Sequence, residues 1–229
     1  AWLENPLYET HEPGWARHWL GTASDLALCD IDGRGYRDVV GTASAREYPV
    51  VARWLRGTRN TWSKNMPWRA FDIRIAETPP TRFYQPQNVA VKSIACGHFR
   101  PGAAGNDPMD IIITNSGSGH GIVMLSPPDN LRRNPEAAWQ ALPLTDYQWI
   151  MKYDNIIDAD IDGDGDLDIL YTDRKGGQRG VHWLEFDTSQ DLQKPWPRHT
   201  VGGVDREVMF MTTGDVDGDN VEDLVVAVK

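Results

Sequence analysis

Apolar residues in this chain come in short bursts, and the bursts repeat in a fixed order. A Trp-Leu run appears as AWLENP at 1–6, VARWLRG at 51–57 and VHWLEF at 181–186, with IVMLSP at 122–127 as a variant lacking Trp. A second tryptophan run follows each, at Trp15, Trp68, Trp139 and Trp196. Next comes an apolar run leading into an acidic or Gly-rich loop (DLALCD, AVKSIACG, NIIDAD, VMFMTTGD), and after the loop its partner (DVVGTAS, DIIITNS, DILYTD, DLVVAVK). Short runs of β-branched and aromatic residues between Gly, Pro and Asp clusters predict strands rather than helices. Four runs per unit predict a four-stranded unit, and four units fill the chain.

The loops carry the chemistry. Residues 158–168 read DADIDGDGDLD and hold Asp160, Asp162, Asp164, Asp166 and Asp168. So many acids in one turn repel one another unless a cation sits among them. Oxygen ligands at alternate positions on a tight turn suit a hard, high-coordination ion such as calcium better than zinc. Gly163 and Gly165 supply the turn, because a residue without Cβ adopts positive φ freely. An EF-hand is excluded: the run after the loop is a strand, and Tyr171 stands where the bidentate Glu belongs. Near the C-terminus Asp215, Asp217, Asp219 and Asp223 repeat the spacing, with Asn220 in the second glycine place. Near the N-terminus Asp30, Asp32 and Asp38 do so too, but Arg34 replaces the third carboxylate. That loop is expected to bind weakly or not at all, with Arg34 pairing Asp30 and Asp38 in the ion's stead. In the second unit Gly97 and Phe99 align with the first two acids, and Asp110 alone remains before the strand, so no metal is expected. On this reading Asp162→Ala destabilises more than Asp32→Ala.

These copies resemble the FG-GAP/VCBS repeat family, whose signature is an Asp-x-Asp-Gly-Asp-Gly-x-x-Asp loop followed by a short apolar strand. The resemblance implies an all-β β-propeller of four-stranded antiparallel blades, its calcium sites structural. The chain then forms one domain, 1–229, of four repeats centred on 30–38, 97–110, 160–168 and 215–223. Pairing of the strand at 225–229 with residues 1–4 would close the ring. The alternative is a fragment of a larger ring, for example a seven-bladed one.

Composition adds bounds. The net charge is −10 and much of the excess lies in the loops, so it signals metal sites more than an acidic tail, and it disfavours nucleic acid as a partner. No apolar run reaches the length of a membrane-spanning helix. The chain starts at Ala1 without Met, as a processed secreted protein does, and calcium loops of this type suit compartments rich in calcium, so secreted, periplasmic or cell-surface placement is expected. Cys29 and Cys96 occupy matching places in the first two units, where neighbouring sheets hold equivalent residues too far apart to bridge, so two buried free thiols are expected. No histidine shows paired zinc spacing. The basic, Trp-bearing stretch at 53–69 is read as a hairpin between outer strands rather than a polyanion surface.

Candidate ligand residues precede the first strand of each unit, on the face where ligands meet a propeller: Asp25, Gln87 and Asn88, then Lys152, Tyr153, Asp154 and Asn155, then Arg206 and Glu207. The leading expectation is a secreted, calcium-stabilised binding module for carbohydrate or protein. The alternative is a sugar-processing enzyme of the polysaccharide lyase or sugar dehydratase type, using Lys, Tyr or Arg groups on that face.

Overall fold

The computed structural model describes residues 2–4, 16–44, 47, 49–59, 68–76, 91–100, 102–115, 121–145, 153–175, 179–187, 189, 191 and 194–229. Among them every regular element is a strand paired antiparallel with its neighbour, and no α-helix occurs. The first complete sheet holds β3 (Leu26–Cys29), β4 (Asp38–Thr42), β5 (Val50–Arg56) and β6 (Arg69–Arg74) in sequence order. The second holds β7 (Val91–Gly97), β8 (Asp110–Asn115), β9 (Gly121–Ser126) and β10 (Gln140–Pro143), and the third holds β11 (Tyr153–Ala159), β12 (Asp168–Asp173), β13 (Gly180–Leu184) and β14 (Arg198–Gly202). Each is a four-strand meander of the kind the recurring runs predict.

Two half-sheets flank them. β15 (Val208–Gly214) pairs with β16 (Asp223–Val228), and β1 (Trp2–Glu4) pairs with β2 (Ala16–His18). The expected pairing of the C-terminal strand with residues 1–4 is not made among the described residues, since β16 and β1 belong to separate sheets. Phe210, Val225 and Val228 accordingly stay exposed, at 59%, 46% and 55%.

The sheets stand side by side, touching through their first strands in the order β3, β7, β11, β15. Apolar cores fill the gaps. Between sheets one and two lie Val40, Trp54, Phe71, Ile111, Ile113 and Trp139, and between two and three lie Phe99, Ile112, Tyr171, Leu184, Phe186 and Trp196. Each large side chain buried this way contributes about 1.5–3 kcal/mol relative to exposure. The third gap holds a smaller group, Leu170, Val181, Val208 and Met211. β8 and β12, in the second place of their sheets, are buried along their whole length because both faces are covered, which explains their unbroken apolar runs.

Recurring polar stitches tie the start of each first strand to the second strand, and neighbouring sheets to each other. The hydroxyl of Thr42 accepts from the Ser24 and Asp25 N–H groups, that of Thr114 from Ser93 N–H, and that of Thr172 from Asn155 N–H. Across the gaps, Asp25 accepts from Ile94 N–H of the next sheet at 3.1 Å, and the Asn155 amide oxygen accepts from Met211 N–H at 3.0 Å.

Cys29 and Cys96 form a disulfide, with Cα atoms 6.4 Å apart, which corrects the expectation of free thiols. Strand register gives the reason. Cys29 lies opposite Asp38, but the residue opposite Asp110 in the second sheet is Gly97, and Cys96 lies opposite Ile111. The two cysteines are therefore one residue out of step. Because side chains alternate between faces of a strand, that offset turns each toward the other across the first gap.

Candidate metal centre

Each complete repeat is built around one buried carboxylate at the start of its second strand. Asp38, Asp110 and Asp168 are each almost wholly inaccessible. One oxygen of each accepts from the loop backbone: Ile31 N–H to Asp38 at 3.0 Å, Phe99 N–H to Asp110 at 3.2 Å, and Ile161 N–H to Asp168 at 3.1 Å. Asp223 repeats the bond with Val216 N–H at 3.0 Å. These bonds align the loops, and they shift the second by one residue from the sequence reading: Phe99 takes the place of Ile31, so His98 stands for Asp30 and Arg100 for Asp32.

The other oxygen is served differently in each repeat. Gly57 N–H, just past β5, reaches Asp38 at 2.5 Å, and Phe186 N–H, just past β13, reaches Asp168 at 2.8 Å. Register puts Pro127 in that place in the second sheet, and proline has no N–H. There the Arg100 guanidinium stands 2.8 Å from Asp110 instead. Burial pushes the carboxyls of Asp38 and Asp168 up to about 6 against the pull of those N–H groups, and it also raises Asp110 against the opposing charge of Arg100.

The third and fourth loops share one scaffold. Asp160 accepts from Gly163 N–H at 2.8 Å and Gly165 N–H at 3.2 Å, as Asp215 does from Gly218 at 2.7 Å and Asn220 at 3.0 Å. Asp164 N–H donates to Asp162 and Asp166 N–H to Asp164, as Asp219 does to Asp217 and Val221 to Asp219. Gly163 and Gly165 hold φ of 78° and 94°, and Asn220, at 68°, is the one described non-glycine residue with positive φ. Carboxylate oxygens of Asp160, Asp162 and Asp168 lie within 4.8 Å of one another, as do those of Asp215, Asp217 and Asp223. Asp164, Asp166 and Asp219 stand around these trios. Desolvation and the charges of Asp164, Asp187, Asp160 and Asp162 push the Asp166 carboxyl up.

The first loop gathers the same trio, Asp30, Asp32 and Asp38, yet fills it with guanidinium. Arg34 donates to Asp32 at 2.5 Å and Arg56, from the end of β5, at 2.7 Å, while Arg132 reaches the carbonyls of Asp32 at 2.6 Å and Gly33 at 3.0 Å. Arg34 thus pairs with Asp32, not with Asp30 and Asp38 as expected. Asp30 accepts instead from the Arg34 and Gly35 N–H groups. Gly33 lies against the Asn106 carbonyl, where a Cβ would collide, so the loop is clamped under its neighbour. No described basic side chain pairs with Asp160 to Asp168 or Asp215 to Asp223. A divalent cation fits those two cages: the donors are all oxygen, uncompensated and held on preformed turns.

Of the candidate ligand residues, Asp25 and Asn155 serve the stitches between sheets, Asp25 also accepting from Leu26 N–H. Arg206 is exposed and pairs with Asp205 at 3.4 Å, and the Glu207 carbonyl accepts from Lys229 N–H. Gln87, Asn88 and Lys152 lie outside the described residues, as do the side chains of Tyr153 and Asp154. In the basic stretch, Arg53 pairs with Glu47 and Asp72. His199 packs against Trp183 in a tilted ring pair, 4.6 Å between centroids, and bonds Glu185 at 2.6 Å. No described helix is long and apolar enough to cross a membrane.

Side-by-side antiparallel sheets with a buried Asp at the start of each second strand of the complete repeats define a repeat protein, and comparison with known families agrees. Residues 160–226, spanning the third and fourth loops, match the model of the FG-GAP-like repeat. The chain matches no curated protein and no solved structure.

Proposed function

We propose that the protein is a calcium-stabilised β-propeller module that binds carbohydrate or protein outside the cytoplasm, with ions in the third and fourth loops only. The observation that carries the reading is the contrast between loops of one geometry. Two acid cages lack any described basic side chain, whereas the first is closed by Arg34 and Arg56. Calcium gathers the free carboxylates of the third and fourth loops and locks β11 to β12 and β15 to β16.

The propeller reading completes the fourth blade with the β1–β2 ribbon. Trp2 lies opposite His18 and Leu3 opposite Arg17, as Trp183 lies opposite His199 and Leu184 opposite Arg198 in the third sheet. Leu3 would then pair with Leu224, as Leu184 pairs with Ile169. The ligand face is set at the entry to the first strands, where Asp25, Asn155, Arg206 and Glu207 lie.

Terbium luminescence titration tests the metal reading, with two sites expected, one lost in Asp162→Ala and the other in Asp217→Ala. A single site, or one abolished by Asp30→Ala, overturns it. A glycan array read with calcium and with chelator tests the ligand. Binding that Arg206→Ala and Lys152→Ala abolish supports the carbohydrate reading, and a blank array moves the assignment to protein partners.

A further inference from the structure

The first strands of the three complete sheets border an open cavity of about 650 Å3 at the loop end of the molecule, opposite the candidate ligand face. Its floor is apolar, made by Ala27 of β3, Ile94 and Ala95 of β7, and Ile156 of β11. Charge sits at its two sides.

On the β11 side stands Asp158. Opposite Ile169 in the ladder, it takes the place that Leu28, Cys96 and Thr213 hold opposite Val39, Ile111 and Leu224. Only the third repeat puts an acid there. In the first gap the residue in this place, Cys96, meets Cys29 of the preceding sheet. In the second gap the residue equivalent to Cys29 is Gly97, which has no side chain to meet Asp158. The half-buried Asp158 carboxylate has its own backbone N–H as partner and no ion pair among the described residues.

On the β3 side stands Arg37, exposed, its guanidinium 3.4 Å from the Leu28 carbonyl and likewise without an ion pair among the described residues. Asp30, the other acid of the lining, is already occupied by the Arg34 and Gly35 N–H groups. Because β7 lies between β3 and β11, Asp158 and Arg37 face the cavity from either side of an intervening strand and do not neutralise each other.

We propose that this cavity binds a short zwitterion, its ammonium on Asp158, its carboxylate on the fork of Arg37, and its apolar stem along the floor. A guanidinium takes a carboxylate in a planar bidentate pair, and a carboxylate pulled partly from water gains most from a cation that brings its own apolar stem. A singly charged ligand leaves one of the two groups unmatched. A free ω-amino acid and the two ends of a short peptide present this same chemistry.

The test is a length series read by calorimetry in saturating calcium: β-alanine, 4-aminobutyrate, 6-aminohexanoate and 8-aminooctanoate, with dialanine and trialanine as the peptide arm. Hexylamine and hexanoate serve as singly charged controls. Affinity is expected to peak at one length and to exceed both controls at least about tenfold. Asp158→Asn is expected to erase that advantage and abolish hexylamine binding, and Arg37→Gln to erase it while sparing hexylamine. The better arm identifies the source. A flat length series, zwitterions no tighter than the controls, or affinities unmoved by Arg37→Gln, whose exposed site tolerates substitution, overturns the proposal.

Discussion

The first and third loops begin from nearly the same trio of aspartates and reach opposite solutions. In the third, Asp160, Asp162 and Asp168 converge with backbone N–H groups and further carboxylates but no described basic side chain around them, and the turn is exposed. In the first, Asp32 is fully buried between Arg34 and Arg56, and Arg132 seals the carbonyls of the same turn. Both relieve the repulsion of clustered carboxylates. One leaves the counter-charge to solution, and the other writes it into the chain, where it does not depend on calcium. The lesson is that a missing ligand in a metal loop can mark a site rebuilt around another cation as well as a lost one.

The largest way to sharpen the contrast is chelation. Each calcium-filled site stabilises by about 4 kcal/mol when free calcium exceeds its Kd a thousandfold. Chelator is expected to lower the melting temperature and to raise hydrogen exchange in β11, β12, β15 and β16, while β3 to β6 keep their protection. Uniform loss of protection across all sheets breaks the comparison.

Next is Asp32→Ala, which removes the buried carboxylate shared by two half-buried guanidinium groups and is expected to cost about 2–3 kcal/mol by urea unfolding, with or without calcium. Asp162→Ala, in an exposed turn, is expected to be near neutral in chelator and to show its cost only when calcium is present, so the order expected from the sequence is reversed in chelator.

A smaller effect separates the loops by pH. The Asp38 and Asp168 carboxyls, raised to about 6 from 3.8, favour the folded state fully below pH 3.8, and that contribution is lost as pH rises through about 6. In chelator, unfolding free energy should therefore fall between about pH 4 and pH 6. Calcium should cancel the Asp168 part and leave the Asp38 part, so the slope should be halved rather than abolished. The smallest effect is Asn220→Ala, about 1 kcal/mol for placing an ordinary side chain at positive φ, with Asn220→Gly near neutral.

What the sequence made legible was local. The alternation of Asp and Gly at 160–168 specifies both the turn and the place of each carboxylate, and Asn220 announces its own left-handed backbone. The strands followed from the bursts because each is bounded by turn residues. What escaped were facts carried by distant partners. Arg56 reaches Asp32 from another strand, and Arg132 comes from another sheet. The insertion before Asp110 hid a one-residue register shift, and with it both the role of Arg100 and the pairing of the cysteines. Pro127 carried a signal that could have been read, since a proline where sister repeats donate an N–H demands a substitute donor nearby.

The bridge between Cys29 and Cys96 rivets the first gap covalently, whereas among the described residues the last is held by four buried apolar side chains, four half-buried ones and an amide stitch. An array fastened so unevenly peels from one side. Removal of the proposed calcium would therefore expose protease-sensitive chain first at the C-terminal sheets, leaving a trimmed, still-folded N-terminal remnant as the lasting record of the event.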